Sequence, residues 1–120
     1  MRVTRSSTLP DIGDHWPIRQ AAMLEHAREY ADDGDMYLIA SYRGQVVGVA
    51  QIAYNRPRQS YELKTLISVK RHCGRLLLGR SLSIARARGQ RLIVFSVPEA
   101  MGFYNRLSVL KYRGNNIYAA

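Results

Sequence analysis

Hydrophobic and polar positions change period several times along the chain, and each change marks an element. Met1–Arg5 alternates weakly and reads as an edge strand. Asp14-His-Trp-Pro17 sets a capping acid and a proline ahead of Ile18, Ala21, Ala22, Met23, Ala27, Tyr30 and Ala31, a helical stripe over about 17–31, with Trp16 as a staple at its start. Asp32-Asp33-Gly34-Asp35 stops that helix. Met36–Tyr42 and Gln45–Tyr54 are apolar, β-branched or aromatic runs joined at Arg43-Gly44, which predicts a hairpin. Asn55–Ser60 is a loop, and Tyr61–Val69 is a long strand apolar enough to lie in mid-sheet.

The period then switches to helical. Leu77, Leu78, Leu82 and Ala85 share one stripe between Gly74 and Arg88, Arg75, Arg80, Arg86 and Arg88 fall largely off it, and Gly89 is a C-terminal stop. Arg91–Val97 reads as a buried strand, so strand, helix and strand predict a parallel crossover. Pro98 ends the strand ahead of a short helix, Glu99–Leu107. Val109–Tyr112 and Ile117–Ala119, split by Arg113-Gly-Asn-Asn116, form a closing hairpin. The expectation is one α/β domain over residues 1–120.

Composition narrows the class. With 47% apolar and 22% charged residues in 120, the chain is globular rather than disordered or fibrous. Cys73 is the only cysteine, which excludes an intramolecular disulfide, and His15, His26 and His72 fall at no metal-ligand spacing, so no metal is expected. Neither a signal-peptide core nor an apolar run of about 20 residues is present, so a reducing, cytoplasmic setting without a membrane is expected. Charge is lopsided. Residues 1–60 carry seven basic and seven acidic side chains, while residues 61–120 carry eleven against Glu62 and Glu99 alone, which holds the whole net charge of +9. The second half is suited to an anion: a phosphorylated cofactor, an acidic protein or nucleic acid.

The order of elements from about Met36 to Tyr112 resembles the GNAT superfamily of N-acetyltransferases. Met36-Tyr-Leu-Ile-Ala-Ser-Tyr-Arg-Gly-Gln-Val-Val-Gly48 is similar to that family's second and third strands. Ile67-Ser-Val-Lys-Arg-His-Cys-Gly-Arg-Leu-Leu-Leu78 sits where the family carries its phosphate-cradling loop, a Gln or Arg followed by glycines at the fourth and sixth positions. Phe103-Tyr-Asn-Arg-Leu107 resembles its late Phe-Tyr-x-x-Leu-Gly-Phe signature, with Ser108-Val109 in place of Gly-Phe. With Gly74 as the last glycine, His72 stands where the earlier one is usual and Val69 where the Gln or Arg is usual.

The resemblance implies a mixed, mostly antiparallel sheet splayed between Tyr61–Val69 and Arg91–Val97, with flanking helices. It implies acetyl-CoA as co-substrate, its pantetheine along Ile67, Ser68 and Val69 and its pyrophosphate on Arg71, His72, Cys73, Gly74, Arg75 and Leu76. A helix N-terminus and the His72 and Cys73 amides would serve the phosphates. Tyr104 matches the family's tyrosine that protonates the departing thiolate, and Glu62 lies where some relatives hold a general base; Glu62 could equally pair with Lys64 or Arg91. Cys73 reads as a bystander loop thiol. The acceptor is an amine approaching past the Tyr30–Asp35 and Arg56–Ser60 loops, and a single amino-terminal helix leaves that side open, which suits a protein or other macromolecule. Two other readings stay open: a non-catalytic protein keeping the fold for partner binding, and a nucleic-acid-associated module. A homodimer is compatible with each.

Overall fold

The computed structural model describes residues 1–12, 14–96 and 100–120. The expectations placed on Val97, Pro98 and Glu99 therefore lie outside the described residues. Among the described residues seven strands form one sheet: β1 (Arg2–Ser6), β2 (Met36–Tyr42), β3 (Gln45–Asn55), β4 (Ser60–Ser68), β5 (Leu92–Phe95), β6 (Lys111–Tyr112) and β7 (Ile117–Ala119). Their order across the sheet is β1-β2-β3-β4-β5-β7-β6. Every neighbouring pair is antiparallel except β4 and β5, which run parallel across the connecting helix α2 (Cys73–Ala87). Helix α1 (Ile18–Glu29) follows β1, and a short α3 (Met101–Asn105) follows β5.

Local chemistry accounts for the boundaries. Arg43 and Gly44 both take positive φ, at 50° and 79°, the conformation that a two-residue hairpin turn with the sheet's own twist requires. Helix α2 ends in a Schellman arrangement: Gln90 N donates to Ala85 O at 2.9 Å and Gly89 N to Arg86 O at 3.0 Å, with Gly89 at φ 67°. Asp14 does not cap α1. Pro17 occupies the N-cap without a side-chain hydrogen bond, and its carbonyl accepts from Ala21 N at 3.0 Å.

The two faces of the sheet are covered unequally. On one, Leu77, Leu78, Leu82 and Ala85 of α2 bury against Leu38, Ala40, Ala50, Ile52 and Leu63. On the other, Trp16 and Leu24 cover Tyr37, Val49 and Ile67, and the Trp16 indole donates to Val46 O at 2.8 Å. Only Leu24 and Ala27 of α1 are buried, whereas Ile18 is 90% exposed and Tyr30 65%. Of the expected stripe, Ala27 is buried and Ala21 packs against the Trp16 cluster, while Ile18, Met23 and Tyr30 face solvent, because the helix lies against the sheet along a narrow line.

A bulge in β4 ties a loop to the middle of the sheet. Gln51 pairs with Thr65 and Ile52 with Leu63, which leaves Lys64 as the extra residue. Its ammonium donates to Asp35 at 2.7 Å, Asp32 at 3.1 Å and Tyr30 O at 3.3 Å, and the buried Asp35 carboxylate also accepts from Gln51 Nε2 at 2.8 Å. Burial pulls the Lys64 pKa down, and the hydrogen bonds and charges of Asp35 and Asp32 outweigh it, leaving it above its ordinary value. The 32–35 loop is thereby anchored on β4.

The tightest backbone approach is at Gly48. A Cβ there would collide with Cys73 Sγ and come within 2.9 Å of Leu77 Cδ1. Gly48→Ala should therefore lower stability by about 1–3 kcal/mol, read as a shifted urea midpoint, and Cys73→Ala in the same chain should recover part of that loss.

Candidate active site

Strand β4 has nine residues but, among the described residues, pairs with β5 only at Tyr61, Glu62 and Leu63. Beyond Leu63 the two strands part. On the far side β4 stays bonded to β3 as far as the Val69 N to Val47 O bond at 2.9 Å. Because alternate residues of a strand direct their backbone groups to opposite neighbours, those of Leu66 and Ser68 face the side that β5 has left. At the end of this gap lies a cavity of about 700 Å³.

Its walls come from four elements. Ser68 to His72 lead out of β4, Gly74 and Arg75 open α2, Pro17 and Gln20 belong to the start of α1, and Phe103 and Arg106 close it from α3. Four of the described lining residues are cationic (Lys70, Arg71, Arg75 and Arg106) and none is acidic. The amides of Gly74 and Arg75 have no backbone acceptor among the described residues, as expected for the first turn of a helix. Orphan amides, a positive helix end and four cations that join no ion pair among the described residues suit a phosphate or pyrophosphate.

The predicted residues divide around this cavity. Ser68, Val69, Arg71, His72, Gly74 and Arg75 line it together. Ile67, Cys73 and Leu76 do not. Ile67 is turned into the core beneath Trp16, and Leu76 is half-buried away from the wall. Cys73 is a fully buried core residue at the start of α2 rather than a loop thiol, and its amide already donates to Lys70 O at 3.2 Å, so it offers nothing to a ligand. Burial pushes the Cys73 thiol up, against a smaller opposing effect from the Ser68 hydroxyl, which leaves it a protonated, unreactive group.

His72 holds the N-cap at φ 69°, ψ −7°, a left-handed conformation. That is a conformation glycine adopts more readily than any residue with a Cβ, and here it carries an imidazole. Sequence reasoning missed Lys70, Phe103, Arg106, Pro17 and Gln20. The signal for Lys70 was its place between Val69 and Arg71; the others reach the cavity only through packing of distant elements.

Tyr104 and Glu62 lie off this cavity. The Tyr104 ring is 6% exposed and sits between Phe103, at 5.2 Å between centroids, and Tyr118, at 5.4 Å. Burial, with a smaller effect of Tyr118, pushes its pKa up to about 12. Glu62 occupies the last stretch where β4 and β5 touch, level with Ile93. Burial raises its pKa and Asp35 adds to that, while Lys64 and Arg58 oppose it. Lys64 has turned to Asp35, and Glu62 joins no ion pair among the described residues.

Known structures share this architecture. A protein from Desulfovibrio desulfuricans described as a GNAT-family acetyltransferase superposes with a TM-score of 0.65 over 99% of this chain and 97% of its own, at 18% identity. The fold is that of the GNAT acetyltransferases. A ribosomal-protein-alanine N-acetyltransferase from Brucella melitensis matches at 28% identity over 80% of this chain and 64% of its own, with a TM-score of 0.55. A streptothricin acetyltransferase from Bacillus anthracis, solved with acetyl coenzyme A, matches at 16% identity over 71% of this chain and 53% of its own, with a TM-score of 0.57. No sequence-family model matches the chain, nor does any curated protein sequence.

Relief of the strain at His72 is measurable. His72→Gly should raise stability on the order of 1 kcal/mol, or roughly 4 °C in melting temperature, because a left-handed residue with a Cβ costs about that much.

Proposed function

We propose that the chain is an N-acetyltransferase, carrying acetyl from acetyl-CoA to an amine on a protein or other macromolecule. One observation carries the reading: the gap where β4 leaves β5 ends on a basic cavity at a helix N-terminus. The residues fit coenzyme A. Arg71, Arg75, Lys70 and Arg106 would meet its phosphates together with the free amides of Gly74 and Arg75, and the outward backbone of Leu66 and Ser68 would pair with its pantetheine. Bound there, acetyl-CoA would supply the thioester.

The chain's own residues then divide the proton work. Glu62, raised above the ordinary carboxylate range, is the better placed to accept a proton from an ammonium, directly or through water. Tyr104 holds its proton at every physiological pH. Handing it fully to a thiolate of pKa near 8.5 would run uphill by on the order of 5 kcal/mol, so its part is a hydrogen bond from the phenol Oη to the leaving sulfur, and the proton that the sulfur takes is the second one that the attacking nitrogen must shed.

Calorimetry with CoA and acetyl-CoA tests the reading. Micromolar binding is expected, and Gly74→Asp should weaken it at least ~10-fold, about 1.4 kcal/mol, by setting a carboxylate against the phosphates. The fold should survive that change, since a Cβ on Gly74 meets the Phe103 ring no closer than 3.5 Å and an acid suits a helix start. Wild-type protein that binds neither ligand at millimolar concentration would end the proposal.

Transfer should rise with pH as Glu62 loses its proton, with a midpoint above the ordinary carboxylate value, and Glu62→Gln should remove that limb. Tyr104→Phe should lower turnover by roughly 10-fold with CoA affinity unchanged, as loss of one hydrogen bond to a developing charge predicts.

A further inference from the structure

A second basic concavity lies at the other end of the β4–β5 junction. It has a volume of about 580 Å³ and is bounded by Arg58 before β4, Arg91 before β5 and Arg113 before β7, with Ile93 and Ile117 on the strands and Asn115 in the turn. None of the three arginines joins an ion pair among the described residues. Two cations close to this junction are engaged elsewhere: Arg88 donates to the Tyr61 hydroxyl and Lys64 is held by two aspartates. Arg58 lies over the half-exposed Phe95 ring, 5.1 Å from its centroid, and is near enough to Glu62 to affect its ionisation.

The sheet register connects this concavity to Glu62. Glu62 pairs with Ile93, and Ile93 with Ala119, so the three form one row across β4, β5 and β7, and both Ile93 and Ala119 line the cavity. At about 4.8 Å between strands the row spans roughly 10 Å, the reach of about three extended residues. The turn that carries Arg113 is rigidly shaped: Gly114, Asn115 and Asn116 all take positive φ, Arg113 N donates to Ile117 O at 2.8 Å, and Ser96 N donates to Asn116 O at 2.8 Å.

We infer that this groove binds the carboxylates of an acidic peptide segment, so that the acceptor amine is one flanked within about three residues by Asp or Glu. Charge complementarity selects that occupant. Guanidinium groups pair with carboxylates through a planar fork, and the apolar strand floor between the cations suits peptide side chains. A cavity of this size holds a few side chains and no duplex. The inference deepens the acetyl-transfer reading and rests on it for the identity of the acceptor, but binding of the segment requires no acetyl-CoA.

The test is anisotropy of two labelled peptides, each with one lysine, flanked by glutamates in one and by glutamines in the other, without cofactor. The acidic peptide should bind at least ~10-fold more tightly at low salt, with the advantage shrinking as salt rises. The combined Arg58→Gln, Arg91→Gln and Arg113→Gln variant should lose that advantage while keeping its calorimetric CoA affinity and its melting temperature, since all three side chains are exposed. Equal binding of the two peptides, or an advantage that persists in the triple variant, would overturn the inference. So would single-stranded RNA that binds more tightly than the acidic peptide and is lost in the same variant, which would make nucleic acid the occupant. Acidic-peptide preference in a protein that transfers no acetyl would support this groove and count against the enzyme reading alone; intact CoA binding and transfer with no acidic preference would do the reverse.

Discussion

Everything distinctive in this molecule depends on β4 and β5 sharing, among the described residues, only three paired positions. A parallel pair that continued to the end of β4 would satisfy its backbone groups and close the sheet. The two strands part instead, because Lys64 bulges at that point and β4 is held to β3 on its other side by a ladder that runs on to Val69. The result is a length of β4 edge that no described residue of β5 pairs. Edges of that kind are ordinarily blunted or covered, and here the open edge leads to a helix start with free amides and four cations.

Polar groups inside the sheet hold that opening in shape. Asp35, 6% exposed, accepts from Lys64, Gln51 and its own loop at Asp32 N, while Thr65 donates to Gln51 Oε1 at 2.8 Å. A buried carboxylate without these partners would be costly, so the arrangement forms as a unit or not at all. It fixes the 32–35 loop beside the strand that carries Glu62. Burial also sets two pKa values: it lifts that of Glu62 above its ordinary value and holds the Tyr104 phenol protonated.

The chain also gathers positive charge at two separate places. Lys70, Arg71, Arg75 and Arg106 surround the cavity at the α2 start, and Arg58, Arg91 and Arg113 surround the groove at the other end of the junction. The nine-residue strand β4 lies between the two clusters, a separation well beyond the about 8–10 Å at which ions screen exposed charges, so each makes its own local field.

Elements whose rules are local were legible from residue types alone. The Leu77–Ala85 stripe with Gly89, the Arg43-Gly44 hairpin and the closing hairpin around Arg113–Asn116 depend on periodicity and turn chemistry within a few residues, and the structure has all three. The basic loop at Arg71–Arg75 was legible for the same reason, since a strand, a loop and a helix start are neighbours in sequence. The cap assigned to Asp14, the exposure of Ile18 and Tyr30, the burial of Cys73 and the loss of its amide to Lys70 were not, because each depends on how far a segment sits from a surface that another part of the chain provides. Register decided the rest. The extra residue at Lys64, the insertion of β7 between β5 and β6, and the row from Glu62 through Ile93 to Ala119 arise from long-range pairings, and no window of sequence encodes which residue of one strand stands opposite which of another.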